Sequence, residues 1–579
     1  MRTGPPGPSR RADRPASPVN GDPGLRVAIV GFGPRGLGCL ERLAIEVKRW
    51  GPIPAAIHVT AHDPSPHPGA SPPYAPGQPD SMLLNFPARH VDAWSEDNDL
   101  LAPAERLSLL DWLERFHPPW ASGECYVPRR LLGAYLRDCA ELLLQALPPA
   151  IRFHHVRGEV LDLEANEKGW NVRHADPTLD VEGVDEVMVA TGHGTWRRDE
   201  TFDAWARRLP SAPSTRRLPS VYPVETCLAP DALPGGSVVG VRGFGLTWID
   251  ATLAVTSGRG GVFEETGGAI PRYRASGGAE PLMVPFSRSG LPVMAKPGSD
   301  LVERSGELTT LWESLRQGIR GAEVLTPAGL VERMKLAGTR ARVALGGDTT
   351  GPGPDRADPL RVMDRSVRVA LGLIPPDAVW ARGEAWRQAY PAVVDRCGEG
   401  GMAAAHAVDF ARLTRALERY AYGPPPENLA RMVALARAGH LDLRFVRMPR
   451  IREREGHLVL EARGAFIRLD VLLNAVTPPP GVHRDTPLLH QLLCRGHLRR
   501  VPGWRAVAIT SSAEGVGSGG HPTPGLSVVG RATEGWVLGN DTLNRSLHEH
   551  TRRWARRILG PARFTEAKGA QPVTEASGV

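Results

Sequence analysis

Three glycines, Gly31, Gly33 and Gly36, have the spacing that binds the pyrophosphate of a dinucleotide. The first permits a tight turn out of a strand, the second lets the backbone approach the phosphates, and the third lets helix and sheet pack closely. The phosphates would lie at a helix N-terminus, where free N–H groups and the helix dipole favour negative charge. Pro34 suits the first turn of that helix, because the donor it lacks has no partner there. Arg35 lies in the same turn and belongs to the predicted site.

The segments around this motif have the order that a dinucleotide site requires. An apolar run at residues 25–30 predicts a buried strand, residues 37–50 have helical spacing of apolar side chains, and residues 56–61 predict a second strand. Asp63 follows that strand, where a carboxylate binds adenosine ribose hydroxyls. The complete context predicts a βαβ nucleotide site rather than a purely structural glycine turn.

A second group of small residues consists of Ala190, Thr191 and Gly192, which follow an apolar strand predicted at residues 184–189. This pattern is typical of two-dinucleotide flavoproteins, in which the small residues let the chain pass close to FAD. An ordinary strand-to-loop turn is the alternative interpretation. His193 comes next and would either move protons beside a flavin, since histidine titrates near neutral pH, or pack against the cofactor.

A weaker glycine motif lies between a strand and a helix predicted on either side of residues 240–245. This motif contributes Gly240, Arg242, Gly243 and Gly245 to a predicted nicotinamide-nucleotide site. Trp248 stands where close helix–strand packing would require a third glycine, so a degenerate turn that binds no nucleotide is the alternative. Arg242 or Arg259 would bind a 2′-phosphate, which would favour NADPH over NADH.

Blocks of sequence in a fixed order resemble the bacterial FAD-NAD(P)-binding family, from Val27 to about Leu559. They lie at residues 27–36, 83–85, 128–136, 190–193, 242–250, 258–263, 287–292 and 530–535. The resemblance implies a bound FAD and use of NADPH or NADH, and it adds Gly530 to the cofactor site. The glycine motif and Ala-Thr-Gly also resemble flavin-dependent N-hydroxylating monooxygenases acting on lysine or ornithine, although His193 replaces the usual Tyr.

Four further residues are candidates with two interpretations each. Asn85 would hydrogen-bond the flavin ring or tie down a loop, and Asp541 would contact the flavin ribitol or cap the last helix. Arg129 and Arg288 would clamp an acidic substrate or form ion pairs. We predict catalytic roles for His193 and Arg288, and the spacing of His, Cys and acidic residues predicts no metal site.

Composition excludes other classes of function. The 579 residues carry a net charge of +7 from 70 basic and 63 acidic residues. The basic residues are mostly dispersed arginines, which does not predict nucleic-acid binding. The six cysteines form no C-x-x-C pair, so free thiols in the cytoplasm are expected. No apolar run is long enough to predict a membrane span, and the oligomeric state cannot be read from the sequence.

The predicted fold class is α/β, with a discontinuous Rossmann-like FAD-binding domain of the two-dinucleotide type. The predicted segments are a disordered tail (1–23), an N-terminal FAD-binding segment (24–200), an inserted NAD(P)-binding-like lobe (201–345), a mainly helical region (346–479), a C-terminal FAD-binding segment (480–565) and a flexible tail (566–579). The predicted function is that of an NAD(P)H-using flavin monooxygenase acting on a small molecule. A flavoprotein oxidase or dehydrogenase that uses no nicotinamide, or a non-catalytic nucleotide-binding protein, is the alternative.

Overall fold

The structure is a computed structural model that describes residues 24–52, 55–122, 125–192, 200–278, 280–348, 358–397, 404–477, 481–482, 486–539, 543 and 547–560. The strands are β1 (Leu25–Val30), β2 (Ile57–His62), β3 (Ile151–Val156), β4 (Val160–Asn166), β5 (Gly169–His174), β6 (Val181–Val184), β7 (Glu186–Val189), β8 (Arg216–Leu218), β9 (Val238–Arg242), β10 (Val262–Glu264), β11 (Arg272–Arg274), β12 (Leu282–Phe286), β13 (Arg450–Arg454), β14 (His457–Ala462), β15 (Ala465–Leu469), β16 (Val471–Asn474), β17 (Glu514–Val516) and β18 (Pro522–Val528). The helices are α1 (Pro34–Trp50), α2 (Leu109–Phe116), α3 (Arg129–Gln145), α4 (Glu200–Ala206), α5 (Val224–Cys227), α6 (Leu246–Val255), α7 (Ser299–Gly306), α8 (Thr309–Arg320), α9 (Pro327–Ala344), α10 (Pro359–Ala370), α11 (Ala378–Cys397), α12 (Ala407–Ala421), α13 (Pro426–Arg437), α14 (Pro487–Cys494) and α15 (His550–Ile558).

The first sheet has the strand order β17-β18-β7-β1-β2-β3 and is parallel except for β17. We call this sheet and the elements packed on it the flavin lobe. Its central strand β1 is almost fully buried, which explains the continuous apolar run in the sequence. Strand β18 returns to this sheet from the C-terminal region of the chain, so the lobe is discontinuous, as predicted. The predicted α/β fold class is confirmed.

The second sheet has the strand order β12-β9-β16-β8, and all its strands are parallel. We call it and its surrounding elements the nucleotide lobe. Strand β16 enters it only after the helices α7–α13, which occupy residues 299–437. The structure therefore places the helical region earlier than the predicted 346–479, and residues 450–474 supply strands instead. The apolar character of β16 is visible in the sequence, but its distant pairing partner β9 is not.

Part of the C-terminal region of the chain has no regular secondary structure. Residues 505–510 form an irregular segment, held by isolated bridges of Val507 with Arg500 and of Ile509 with Gly515. The last helix is described from His550 to Ile558. Among the described residues, no helix combines the length and apolarity needed to cross a membrane.

Candidate cofactor cavity and active site

A cavity of about 1390 Å³ lies between the two lobes. The carboxyl ends of the parallel strands of both sheets open into it, which is where α/β sheets bind their ligands. The predicted site residues that line it are Gly31, Gly33, Pro34, Arg35, Asp63, Asn85, Ala190, Thr191, Gly192, Gly243, Gly245 and Gly530. Four separate strand ends, after β1, β2, β7 and β18, bring together the flavin-lobe members of this set other than Asn85, which lies in the segment between β2 and α2.

The first glycine turn fits a dinucleotide pyrophosphate. Gly31 has a φ of +94°, and a Cβ on it would lie 2.5 Å from the carbonyl oxygen of Ala190. A Cβ on Gly36 would lie 2.1 Å from the oxygen of Gly31, so this position serves helix–sheet packing. A Cβ on Gly33 would meet only the Cβ of Ser71, at 3.4 Å, and would otherwise project into the cavity. Helix α1 begins here without a side-chain cap, as expected for a helix N-terminus that binds an anion.

Asp63 holds the glycine turn in place. Its Oδ2 accepts a hydrogen bond from the amide of Phe32 at 2.7 Å, and its Oδ1 accepts one from the amide of Ser65 at 2.7 Å. Burial raises the pKa of the carboxyl group, and these two bonds act in the opposite direction. Each carboxylate oxygen can accept a further bond, so binding of a ribose by Asp63 stays a prediction.

The second glycine turn opens into the same cavity. Gly243 has a φ of +132°, and Gly245, the residue before α6, has no atom within 4 Å of the position of a Cβ. Gly240 lies inside β9, where a Cβ would lie 2.4 Å from Cδ1 of Leu469, so its contact is with the sheet and not with the cavity. Trp248 is fully buried and packs on Phe244 with a ring-centroid distance of 4.7 Å.

Arg242 and Arg259 have protein partners and do not line the cavity. Arg242 stacks on the ring of Trp205 at 4.8 Å and donates a hydrogen bond from Nη1 to Oδ1 of Asn474 at 2.9 Å. Nη2 of Arg259 donates to the carbonyl oxygens of Leu228 and Leu233, at 2.9 and 2.8 Å. Their binding of a 2′-phosphate stays a prediction, and it would require these side chains to exchange partners.

An ion pair between Arg129 and Asp250 joins the two lobes and lines the cavity, and its acidic partner was not predicted. Arg129 at the start of α3 places Nη2 2.7 Å from Oδ2 of Asp250 in α6. Its Nη1 donates to the hydroxyl of Tyr222 at 3.2 Å, and that hydroxyl donates to Asp250. Burial, and then Asp250, raise the pKa of Tyr222 above its ordinary range, so the phenol stays protonated. Arg129 therefore forms an ion pair within the protein, which was one of its two interpretations.

Two histidines of the cavity wall were likewise not predicted from the sequence. Burial, followed by the neighbouring His550 and Arg35, lowers the pKa of His548 to about 4. Burial, with Arg553 and Arg35, lowers the pKa of His550 to about 4. Both imidazoles are therefore neutral at neutral pH, and positive charge in this region of the wall resides on arginine. A His-x-His sequence at the start of the last helix was the only signal in the sequence.

The remaining candidates are not brought into the cavity by the described structure. Arg288 is exposed on the turn after β12 and is not among the cavity residues. That turn is held by the amide of Ser287, which donates to the oxygen of Val446 at 2.8 Å. His193 and Asp541 lie outside the described residues. Within the described regions of the chain, no group of three His, Cys, Asp or Glu side chains could hold a metal ion.

The chain is similar to several known proteins. Residues 28–194 match the model of a family described as FAD-NAD(P)-binding. An L-aspartate N-monooxygenase (nitrosuccinate-forming) of Streptomyces cremeus is 27% identical, over 95% of this chain and 92% of that protein. The nitrosuccinic acid synthase npaA of Aspergillus oryzae is 25% identical, over 84% of this chain and 83% of its own length. The reduced form of the ornithine hydroxylase PvdA of Pseudomonas aeruginosa is a structural neighbour with a TM-score of 0.48 and 12% identity, covering 93% of this chain and 99% of that one.

Proposed function

We propose that this chain, an FAD-dependent oxidoreductase that carries an FAD-NAD(P)-binding domain at residues 28–194, oxygenates the amino group of L-aspartate. The observation that carries the proposal is the match, over nearly the whole length, to an enzyme named for this reaction. The shared cavity with two glycine turns supports it, because such an enzyme must bring a nicotinamide and a flavin together. Each oxygen atom inserted would consume one NADPH, one O₂ and one proton, and would release one water.

The flavin lobe would bind FAD, and the nucleotide lobe would bind the nicotinamide nucleotide. Bound FAD supplies hydride acceptance from NADPH and activation of O₂. The amides at the start of α1 and the turn around Gly33 would hold the FAD pyrophosphate, and Asp63 would fix that turn and bind the ribose. The turn from Gly243 to Gly245 would hold the nicotinamide nucleotide at the opposite wall.

The proposal is tested with the purified, FAD-loaded protein. We expect NADPH to bleach the flavin under anaerobic conditions, and L-aspartate in air to yield nitrosuccinate that mass spectrometry detects. L-Glutamate, L-asparagine, L-lysine and L-ornithine serve as comparison substrates in the same assay. Bleaching by NADPH with no oxygenated product from aspartate would overturn the substrate assignment alone. A flavin that is reduced by a substrate and not by NADPH would instead select the oxidase alternative.

Arg288 is the proposed carboxylate-binding residue. It follows β12, at the same edge of the nucleotide-lobe sheet where β9 and β16 open into the cavity. Its side chain is exposed and does not line the cavity, so binding of the substrate carboxylate would require it to turn inward. We expect Arg288→Met to raise KM for aspartate by about tenfold or more, since a charge-assisted hydrogen bond contributes about 1.5–3 kcal/mol. Arg288→Lys should recover only a fraction of this, because lysine lacks the planar fork. Steady-state kinetics measure the effect.

The FAD content of the Arg288 variants is the control, because this residue follows a strand of the nucleotide lobe, whereas the first glycine turn follows β1 of the flavin lobe. KM for NADPH is measured alongside KM for aspartate. An unchanged KM for aspartate in Arg288→Met would remove this residue from substrate binding. An equal rise in both KM values would indicate a disturbed lobe rather than a lost carboxylate contact.

A further inference from the structure

A buried lysine lies directly behind the cavity wall. Lys296, in the segment between β12 and α7, is only 6% exposed. Its Nζ donates a hydrogen bond to the carbonyl oxygen of Asn85, a residue of the cavity wall. Nζ also lies 3.6 Å from the centroid of the Phe86 ring, which is a cation–π contact. The flavin-lobe wall at Asn85 is therefore held by a cation from a distant region of the chain.

The segment that contains Asn85 is held at both ends by cationic side chains. Nε of Arg129 donates to the carbonyl oxygen of Leu83 at 3.2 Å, and Lys296 donates to that of Asn85. The backbone of Lys296 is itself fixed, because its amide donates to the oxygen of Pro424 at 2.9 Å. The backbone of Lys296 is thus held in place, and the hydrogen bond from its ammonium group fixes the position of the Asn85 carbonyl group.

The surroundings of Lys296 make its charge costly. No ion pair joins it to a carboxylate in the described regions of the chain, whereas Arg387 is paired with Glu384 at 2.6 Å. Burial, and then Arg387, lower the pKa of Lys296 to about 7 from an ordinary value of 10.5. The titratable groups that interact with it are Arg387, His90 and Tyr422. Behind them, Glu384 pairs with Arg387, and Arg89 donates to His90. Burial, Arg89 and Lys296 also lower the pKa of His90.

We propose that Lys296 is a positioning residue of the cofactor cavity, whose ammonium group fixes the main chain of Asn85 and thereby holds the Asn85 side chain in place for bound FAD. A buried charge without a carboxylate partner destabilises the fold. A contribution to stability therefore does not explain the presence of a lysine at this position. The inference rests on the proposed FAD site and is independent of aspartate as the substrate.

The test compares Lys296→Met and Lys296→Arg with the wild type from pH 5.5 to 9.5. The measurements are the dissociation constant of FAD, by flavin fluorescence titration of the apoprotein, and the fraction of NADPH oxidation that ends as hydrogen peroxide. In the wild type we expect FAD affinity to fall as the pH rises through about 7, where Lys296 loses its proton. Lys296→Arg should keep its affinity to high pH, because arginine stays charged. Lys296→Met should bind FAD about tenfold more weakly at pH 6 and show no such pH dependence.

Thermal stability separates positioning from simple structural support. The folded chain releases the Lys296 proton at about pH 7 and the unfolded chain at about 10.5, so the unfolded state binds more protons in between. This group therefore makes stability rise with pH across that window, and its buried charge destabilises the fold below it. Lys296→Met should consequently melt no lower than the wild type at pH 6 while binding FAD more weakly.

Lys48 provides the matched control, because its Nζ also donates to a backbone carbonyl, that of Asp99, but on the exposed surface. Lys48→Met should match the wild type in every measurement. Wild-type FAD affinity and pH profile in both Lys296 variants would overturn the proposal, as would a lower melting temperature of Lys296→Met with an unchanged pH profile. If Lys296→Met fails to fold, the pH profile of Lys296→Arg decides.

Discussion

Gly33→Ala is expected to give a folded protein that binds FAD about 30-fold more weakly than the wild type. The added methyl group would meet only Ser71, at 3.4 Å, and would otherwise occupy the side of the turn that faces the cavity. It would push the pyrophosphate away from the α1 amides, and loss of a charge-assisted hydrogen bond costs about 2 kcal/mol. Titration of the apoprotein with FAD measures the effect, and a melting curve without FAD confirms that the fold is retained.

Two matched glycine variants sharpen this prediction. Gly36→Ala should destabilise the apoprotein itself, because its Cβ would lie 2.1 Å from the oxygen of Gly31. In Gly245→Ala, the added Cβ would have no protein atom within 4 Å, so the fold and the FAD affinity should be unchanged. KM for NADPH should rise, because the methyl group would lie in the second glycine turn. Equal FAD affinity of Gly33→Ala and the wild type would show that the first turn is not the pyrophosphate site. An unchanged KM in Gly245→Ala would favour a degenerate second turn.

Arg129→Met is expected to lower the free energy of unfolding by about 3–5 kcal/mol, because it leaves the buried carboxylate of Asp250 without its partner. The exposed fractions of the two side chains are 15% and 4%, so water cannot replace the lost contact. The double variant Arg129→Met, Asp250→Asn should be more stable than Arg129→Met alone, since it also removes the uncompensated charge. Urea unfolding of the FAD-loaded protein, with single and double variants compared in one cycle, measures both effects.

The neighbouring Arg130 supplies the control for that cycle. It pairs with Asp80 at the surface, where both side chains are substantially exposed (35% and 55%). Arg130→Met should therefore change the free energy of unfolding by about 1 kcal/mol or less. Similar losses from Arg129→Met and Arg130→Met would contradict a special role for the buried pair between the lobes.

The local features of the site could be predicted because their residues are close in sequence or follow recognisable strands. The glycine turn after β1 and the Ala-Thr-Gly block after β7 both line the cavity, and the predicted FAD-dependent oxidoreductase is confirmed by the family match and the relatives. Arg242 and Arg259 show the limit of this reasoning. Their spacing suits a phosphate, yet their guanidinium groups contact Asn474 and the carbonyl oxygens of Leu228 and Leu233.

The two glycine turns, the strands that precede them and the class of cofactor are readable from the amino-acid order, because each depends on local backbone geometry and short-range periodicity. The three-dimensional packing was needed to establish that β16 completes the second sheet, that Arg129 pairs with Asp250, and that Lys296 reaches Asn85. The last contact joins residues separated by 211 positions. Such contacts depend on how sheets and helices pack against each other. The type of a residue and its spacing from its neighbours in the sequence do not determine which distant residue it will contact.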